Sequence, residues 1–490
     1  MKKIALVLAI LMVVTVFGTY NSSATVPSVT TETPITHVVE IMMENHAFDN
    51  IFGKYPCDFN TSSNQTLINS LEKPVNLITS PPDPYIMNQL KAIPNGTYST
   101  ADPVEGYSAY HLDWNNGKMN GFYNNSGPQS MTYYTASQVA PLWNLAEEYS
   151  LGDMYFASML SETSPNRLYN MAGFSPVIND YGPPPYIPFS ETIFGELQSH
   201  GISWGYYTKA VNSDMNVLGY ISGITEKTPE LGSWQEFLSE LKNNSIPSVS
   251  YVMPIGGHAV DYSSGPPHSM LKGELWLIYM IDAIMQSPEW NSTAIFLTFD
   301  EGGGFYDQVA PPYVGGHMLG QRIPFILISP YSKENYVSST VLNHASILGF
   351  IDYNWKLPAL NRFVSLSNIP LDMFNFNTPY QSGNIRRTPM PVLTNKEFQL
   401  PSSPVFSLER NPPSLSSIFP LPLQIPIHKL PYSRSGNSIF NLSQVSSSLY
   451  IESDQSYVPW YVTDQFLIAS SALSIFIAAI AGIRMRRRIK

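Results

Sequence analysis

Two stretches, HVVEIMMEN at 37–45 and AIFLTFDEGGG at 294–304, decide how this chain folds. Each is a short, nearly continuous apolar run closed by acidic side chains, as in a strand buried on both faces. The run FILIS at 325–329 has the same character, and all three are expected to be central parallel strands. Between them, GELWLIYMIDAIM at 273–285 has helical spacing and stops at Ser287 and Pro288, and 346–355 also reads as a helix. From 35 to 371 such runs alternate with longer mixed segments, which specifies an α/β fold.

Where the acids fall relative to the strands points to chemistry. In open α/β sheets the carboxyl ends of the strands form the ligand crevice, so Glu44 with Asn45 and Asp300 with Glu301 would enter one place from two strands. Carboxylates beside an amide suit hard or borderline cations, and without a cation they repel one another. One acidic pair after a strand reads as the cap of the next helix. Two pairs, one followed by Gly302, Gly303 and Gly304, point instead to a metal site. No Walker-type loop, no GxSxG elbow and no internal repeat is present.

Composition narrows the class. With 43% hydrophobic and 13% charged residues the chain can build a large core, and its net charge of -11 argues against nucleic acid as a partner. Lys2 and Lys3, the apolar run 4–17 and a small-residue stretch to Ala24 have the parts of a secretory signal peptide, here 1–24, or of an uncleaved anchor. The Pro- and Ser-rich region 379–462 reads as a semi-rigid stalk or a segment wrapping the domain. Within 463–484, the uncharged run 466–483 is long enough to span a bilayer, and the Arg-rich 485–490 follows. By the positive-inside rule the bulk of the chain faces outward from a single-pass anchor in the cell membrane. Cys57 is alone, so no disulfide framework supports the fold, and sequons such as Asn124 and Asn291 suit an exported chain.

Several blocks then carry a family resemblance. MMENHAFDNIFG (42–53), HLDWNNGKMNGF (111–122), ETSPNRLYNMAG (162–173), FDEGGGFYDQVAPP (299–312), GQRIPFILISP (320–330) and NHASILGFI (343–351) occur in the order seen in one family. They resemble the phosphoesterase family of bacterial and archaeal phospholipases C and acid phosphatases. The resemblance implies an alkaline-phosphatase-like, mixed but mostly parallel sheet with helices on both faces, over 30–378. It further implies a divalent metal ion ligated by Glu44, Asn45, Asp300, Glu301 and Thr163, with Thr163 as the nucleophile. A neutral hydroxyl attacks phosphorus poorly, and coordination to a dication lowers its pKa.

Within that scheme Asn166 and Arg167 are candidates to hold phosphate oxygens, because an amide and a guanidinium fork match them. Taken alone, Thr163 reads as the cap of a helix starting near Pro165. His111 is the first candidate for donating a proton to the leaving group, and His344 is a second phosphate contact or ligand. The chain departs from the family pattern at Ser263 to Pro267, where His258 and His268 flank a double proline, and at Gln308, where relatives carry His. Either flanking His could replace the lost acid. The expected substrates are small phosphate esters or phospholipids, and the expected reaction passes through a phosphorylated Thr163. The competing expectation is a non-catalytic surface or adhesion protein that kept the fold.

Overall fold

The computed structural model describes residues 30–53, 90–94, 98–135, 138–180, 187–208, 217–225, 227–254 and 269–377. The segments expected to form the signal peptide, the stalk, the membrane anchor and the basic tail lie outside them, as does Cys57. Among the described residues no helix is long and apolar enough to cross a membrane.

The elements that position the site are, in chain order, β1 (His37–Met43), α1 (Tyr107–Trp114), α2 (Ala140–Glu148), β2 (Ser150–Gly152), α3 (Thr163–Ala172), α4 (Ile193–Ser199), β3 (Trp204–Tyr207), β4 (Leu231–Gly232), α5 (Trp234–Asn243), β5 (Val249–Val252), α6 (Met270–Gln286), β6 (Thr293–Phe299), β7 (Phe325–Ile328), β8 (Tyr336–Ser338) and α7 (His344–Trp355). One eight-stranded sheet runs in the order β8-β2-β7-β6-β1-β5-β3-β4. Its centre is the pair β1 and β6, parallel and in register from His37 opposite Thr293 to Met43 opposite Phe299. Every β6 side chain is buried, and so is every β1 side chain after His37. This is why both read as nearly continuous apolar runs.

One expectation needs correcting: β7 is central, but it runs antiparallel to both neighbours, β6 and β2. The connection between β6 and β7 explains the reversal. A parallel return needs a crossover, usually a helix, and 300–324 contains only turns, extended chain and a short hairpin. The other seven strands share one direction, so the sheet is mixed and mostly parallel.

Helices cover both faces. Phe296 and Tyr251, the register partners of Glu40, meet Phe350 of α7 and Phe194 of α4 with ring centroids 5.2 Å apart in each pair. On the opposite face Tyr207 meets Phe237 of α5 at 5.0 Å. The apolar helix α6 packs its Trp276 against Trp234 of α5 in the core, at 5.2 Å. Local signals set the helix starts. Ser233 and Glu236 form a capping box for α5, and Asn343 and Ser346 form one for α7, which therefore begins at His344 rather than 346.

Candidate functional site

The β1–β6 register makes the site. Because Met43 lies opposite Phe299, the next residues of both strands emerge side by side at the carboxyl edge of the sheet. The ladder runs one step further, with Asp300 N donating to Met43 O at 3.2 Å. Asp300 Oδ1 then accepts from the backbone N–H groups of Asn45 at 3.0 Å and Glu301 at 2.9 Å. Asn45 takes a left-handed conformation, φ 58°, which an Asn tolerates. Gly303 sits against it at φ +62°, where an added Cβ would lie 2.1 Å from Asn45 O. Only glycine fits there.

Thr163 comes to the same place from the start of α3, and its Oγ1 donates to Asn45 Oδ1 at 3.4 Å. It is not the cap: Glu162 occupies the N-cap position and Thr163 is the first helical residue. The helix begins earlier than the position of Pro165 suggests because proline is tolerated throughout a first turn. Asn166 is turned inward. Its Oδ1 accepts from Met159 N at 2.8 Å, and its Nδ2 donates to the carbonyls of Met159, Ser161 and Glu162 at 2.9–3.1 Å. The amide expected to touch phosphate instead stitches the loop that carries Thr163.

Arg167 is buried, and its Nε donates to Asp300 Oδ2 at 2.9 Å. His344 is also buried. Its Nε2 lies 3.0 Å from Phe299 O, which makes Nε2 the protonated nitrogen and ties the ring to the end of β6. Burial, with the Arg167 charge adding to it, lowers its pKa to about 4, so the ring is neutral. His111 lies half-buried on α1. Its Nδ1 is 2.7 Å from Tyr107 O, and its ring lies against that of Tyr107 at a tilt of 34°, with centroids 4.0 Å apart. Burial lowers its pKa, opposed by the bond to Tyr107. His258 and His268 lie outside the described residues.

Three site residues have no strand-end signature and escape a reading of the sequence. Tyr110, one residue before His111, donates its phenol to Glu301 Oε2 at 2.5 Å. Glu105, in the loop before α1, accepts from Asn45 Nδ2 at 2.9 Å and so turns the Asn45 carbonyl toward Thr163. Asp180 accepts from Ser164 N at 2.6 Å. The local hints in the sequence are Gly106 beside Glu105 and the turn-like Asn179-Asp180, and Tyr110 has none.

The electrostatics are those of crowded acids. Glu301 is pushed well above the usual carboxylate range by burial and then by the Asp300 charge, while the bonds from Tyr110 and Gly303 pull it back. Glu105 is raised by burial and by Glu301, Asp102 and Glu44. Glu301 Oε1 is buried with no hydrogen-bond partner among the described residues. Oxygen donors, mutual repulsion and an orphaned carboxylate oxygen fit a hard or borderline dication. No three His, Cys, Asp or Glu groups among the described residues are already gathered as a cage, so the fit lies in the donor set.

Beside the strand ends, a second buried charge network braces the same loop. Arg322 contacts Asp49 at 2.8 Å and Asp307 at 3.0 Å. Gln308, the residue that departs from the family pattern, donates its backbone N–H to Asp49 Oδ2 at 2.9 Å. Its side chain points into this brace, with Nε2 3.5 Å from Asp49 Oδ1.

The sequence pattern of the family described as "Phosphoesterase family" matches residues 35–358. Phospholipase C A of Mycobacterium tuberculosis is 25% identical over 414 residues, covering 71% of this chain and 79% of that protein. Hemolytic phospholipase C of Pseudomonas aeruginosa is 26% identical over 389 residues, covering 65% of this chain and 52% of that one. Among solved structures, a protein in the alkaline phosphatase superfamily from Vibrio parahaemolyticus is similar at 13% identity and a TM-score of 0.33, covering 59% of this chain and 76% of that one.

Proposed function

Because the chain belongs to the phosphoesterase family and is a hydrolase acting on phosphate-ester bonds, we propose that Thr163 is its nucleophile and that the strand-end acids serve that hydroxyl. The observation that carries this reading is the 3.4 Å contact from Thr163 Oγ1 to Asn45 Oδ1, with Asn45 itself held by Asp300. Thr163 Oγ1 releases its proton to solvent water and bonds to phosphorus as the ester P–O bond breaks, and the leaving alkoxide takes a proton to become an alcohol. Water then cleaves the phosphothreonine, its oxygen going to phosphorus and a proton returning to Thr163 Oγ1, and frees phosphate from a monoester or a phosphate monoester from a phospholipid.

A divalent cation held by Glu44, Asn45, Asp300, Glu301 and Thr163 would lower the hydroxyl pKa and offset phosphoryl charge. The chain's own groups supply the rest. Glu105 fixes the Asn45 amide, Tyr110 fixes Glu301, and His344 fixes the end of β6. Arg167 holds Asp300 and brings a permanent positive charge beside the phosphoryl position. His111 is the proposed proton donor to the leaving group. Its lowered pKa makes it a readier donor once protonated.

The relatives' printed names favour phospholipid substrates of the phospholipase C type, and a small phosphate monoester uses the same chemistry. The decisive assay follows release from p-nitrophenyl phosphate and from phosphatidylcholine vesicles, before and after chelation and dialysis. Turnover lost on chelation and restored by added divalent cation supports the reading, and turnover indifferent to chelation refutes it.

The same proposal sets the catalytic domain outside the cell on a C-terminal anchor. Its support is the export-type start at 1–24 and the apolar run 466–483 with the basic residues after it. Protease added to intact cells should strip the domain and leave a small C-terminal fragment in the membrane, and a fully protected domain would reverse the topology.

A further inference from the structure

Whatever Thr163 does depends on the turn 161–164, and one short segment holds that turn from outside the helix. Because α3 starts at Thr163, the N–H groups of its first turn have no intrahelical acceptor. Glu162 stands at the N-cap position, yet its side chain makes no capping bond. Its Oε2 instead accepts from Asp180 N at 2.7 Å, and Asp180 Oδ1 accepts from Ser164 N at 2.6 Å. The two acids thus close a reciprocal ring around Thr163.

Neighbouring bonds fix the ring in place. Ser161 Oγ donates to Ile178 O, and Tyr220 OH donates to Asp180 O at 3.1 Å. Asn179 Oδ1 accepts from Tyr107 N at 3.0 Å, at the first residue of the helix that carries Tyr110 and His111. The strap 178–180 therefore links the start of the nucleophile helix to the helix that reaches Glu301.

We propose that Asp180 is a positioning residue: through the Ser164 N–H it holds Thr163 in line with Asn45. This inference rests on the assignment of Thr163 as nucleophile. An acid so close to an anionic substrate costs binding, and an ordinary cap could be a serine. The bond to Ser164 is the compensation, because Glu162 turns away from the helix and Asp180 Oδ1 is the oxygen that accepts from the first turn in its place.

The test is kinetic, in the full-length enzyme with p-nitrophenyl phosphate. Asp180→Ala removes the acceptor and should lower kcat by about ten- to a hundredfold, the cost of misplacing a reacting group by around 1 Å, while KM stays nearly unchanged. Asp180→Asn keeps an oxygen in the same place and should retain most of kcat. Hydrogen exchange of the peptide spanning 161–168 should quicken in Asp180→Ala and not in Asp180→Asn. If Asp180→Ala does not fold, Asp180→Glu, which displaces the acceptor by one methylene, should show the kcat loss instead. The inference is overturned if the displaced or deleted acceptor leaves kcat per folded molecule at the wild-type value, or if Asp180→Asn falls as far as Asp180→Ala. Thr163→Ala separates the two claims. If it is inactive while Asp180→Ala is not slowed, only the role of Asp180 fails, and if Thr163→Ala keeps its rate, the nucleophile assignment falls first.

Discussion

Arg167 Nε donates to Asp300 Oδ2 at 2.9 Å with both side chains buried, which ties the helix that carries Thr163 to the end of a central strand. Arg167 lies four residues after Thr163 on α3, so the bond fixes the helix about one turn from Thr163. Removing one partner of a buried pair leaves the other charge uncompensated. Arg167→Met should therefore lower stability by about 3–5 kcal/mol. Asp300→Asn in the same chain should recover part of that loss. The check is the denaturant midpoint of the single and double variants, and a midpoint unmoved by Arg167→Met would contradict the account.

Thr163→Ala removes a hydroxyl whose contact is with Asn45, and the helix keeps Glu162 at its cap position. Turnover should fall by about a thousandfold or more, as for loss of an attacking group, with the melting temperature nearly unchanged. His111→Ala should slow esters with poor leaving groups far more than p-nitrophenyl phosphate, because a good leaving group needs no proton. Equal losses on both substrates would remove His111 from the acid role.

The centre of the fold was legible in the sequence for a simple reason. The strands of HVVEIMMEN and AIFLTFDEGGG are buried on both faces, so burial wrote itself into nearly continuous apolar runs. Their acidic ends emerge side by side because the two strands are parallel and in register. The direction of β7 was not legible, because FILI is equally apolar whichever way it runs and only the helix-free connection 300–324 decides it. The supporting residues were hidden for another reason. Glu105, Tyr110 and Asp180 sit in loops or on a short helix, and their partners are 60, 191 and 16 residues away. Arg167 and Asn166 were found by motif, but their bonds to Asp300 and to local carbonyls depend on packing that spacing does not reveal.

Gly303→Ala tests the close approach of Gly303 to Asn45. The new methyl would lie 2.1 Å from Asn45 O, a backbone atom that cannot rotate away, at a φ of +62° that alanine disfavours. The Asn45 turn would have to move, taking its carbonyl out of line with Thr163. We expect a stability loss of roughly 1–3 kcal/mol from overpacking together with a fall in kcat larger than that loss explains. A variant with wild-type kcat would show that the Asn45 turn tolerates displacement.

Glu40 gives the pH dependence that isolates one group. It lies at the middle of β1, about 1% exposed, with Asn170 beside it and neither carboxylate oxygen hydrogen-bonded among the described residues. Burial pushes its pKa up to about 8 from an ordinary 4.5, opposed by Asn170 and by the Arg167 charge. The unfolded chain loses this proton near pH 4.5 and the folded chain keeps it to about 8, so the associated stability is intact below 4.5 and is lost as pH rises through 8. His344, lowered to about 4 from 6.5, works in the opposite sense, its stability being present above 6.5 and lost as pH falls through 4. Measurements above pH 6.5 therefore avoid it. Asp49 and Asp352, both raised to about 8, act in the same direction as Glu40 but are shared by wild type and variant, so they cancel in the difference. Glu40→Gln keeps the shape and removes the titration. Its stability advantage over wild type should widen by up to about 1.4 kcal/mol for each pH unit between 6.5 and 8 and then level off. Thermal or denaturant unfolding across that range reads the gap directly, and a gap that stays constant with pH would mean that Glu40 does not carry a proton into the folded state.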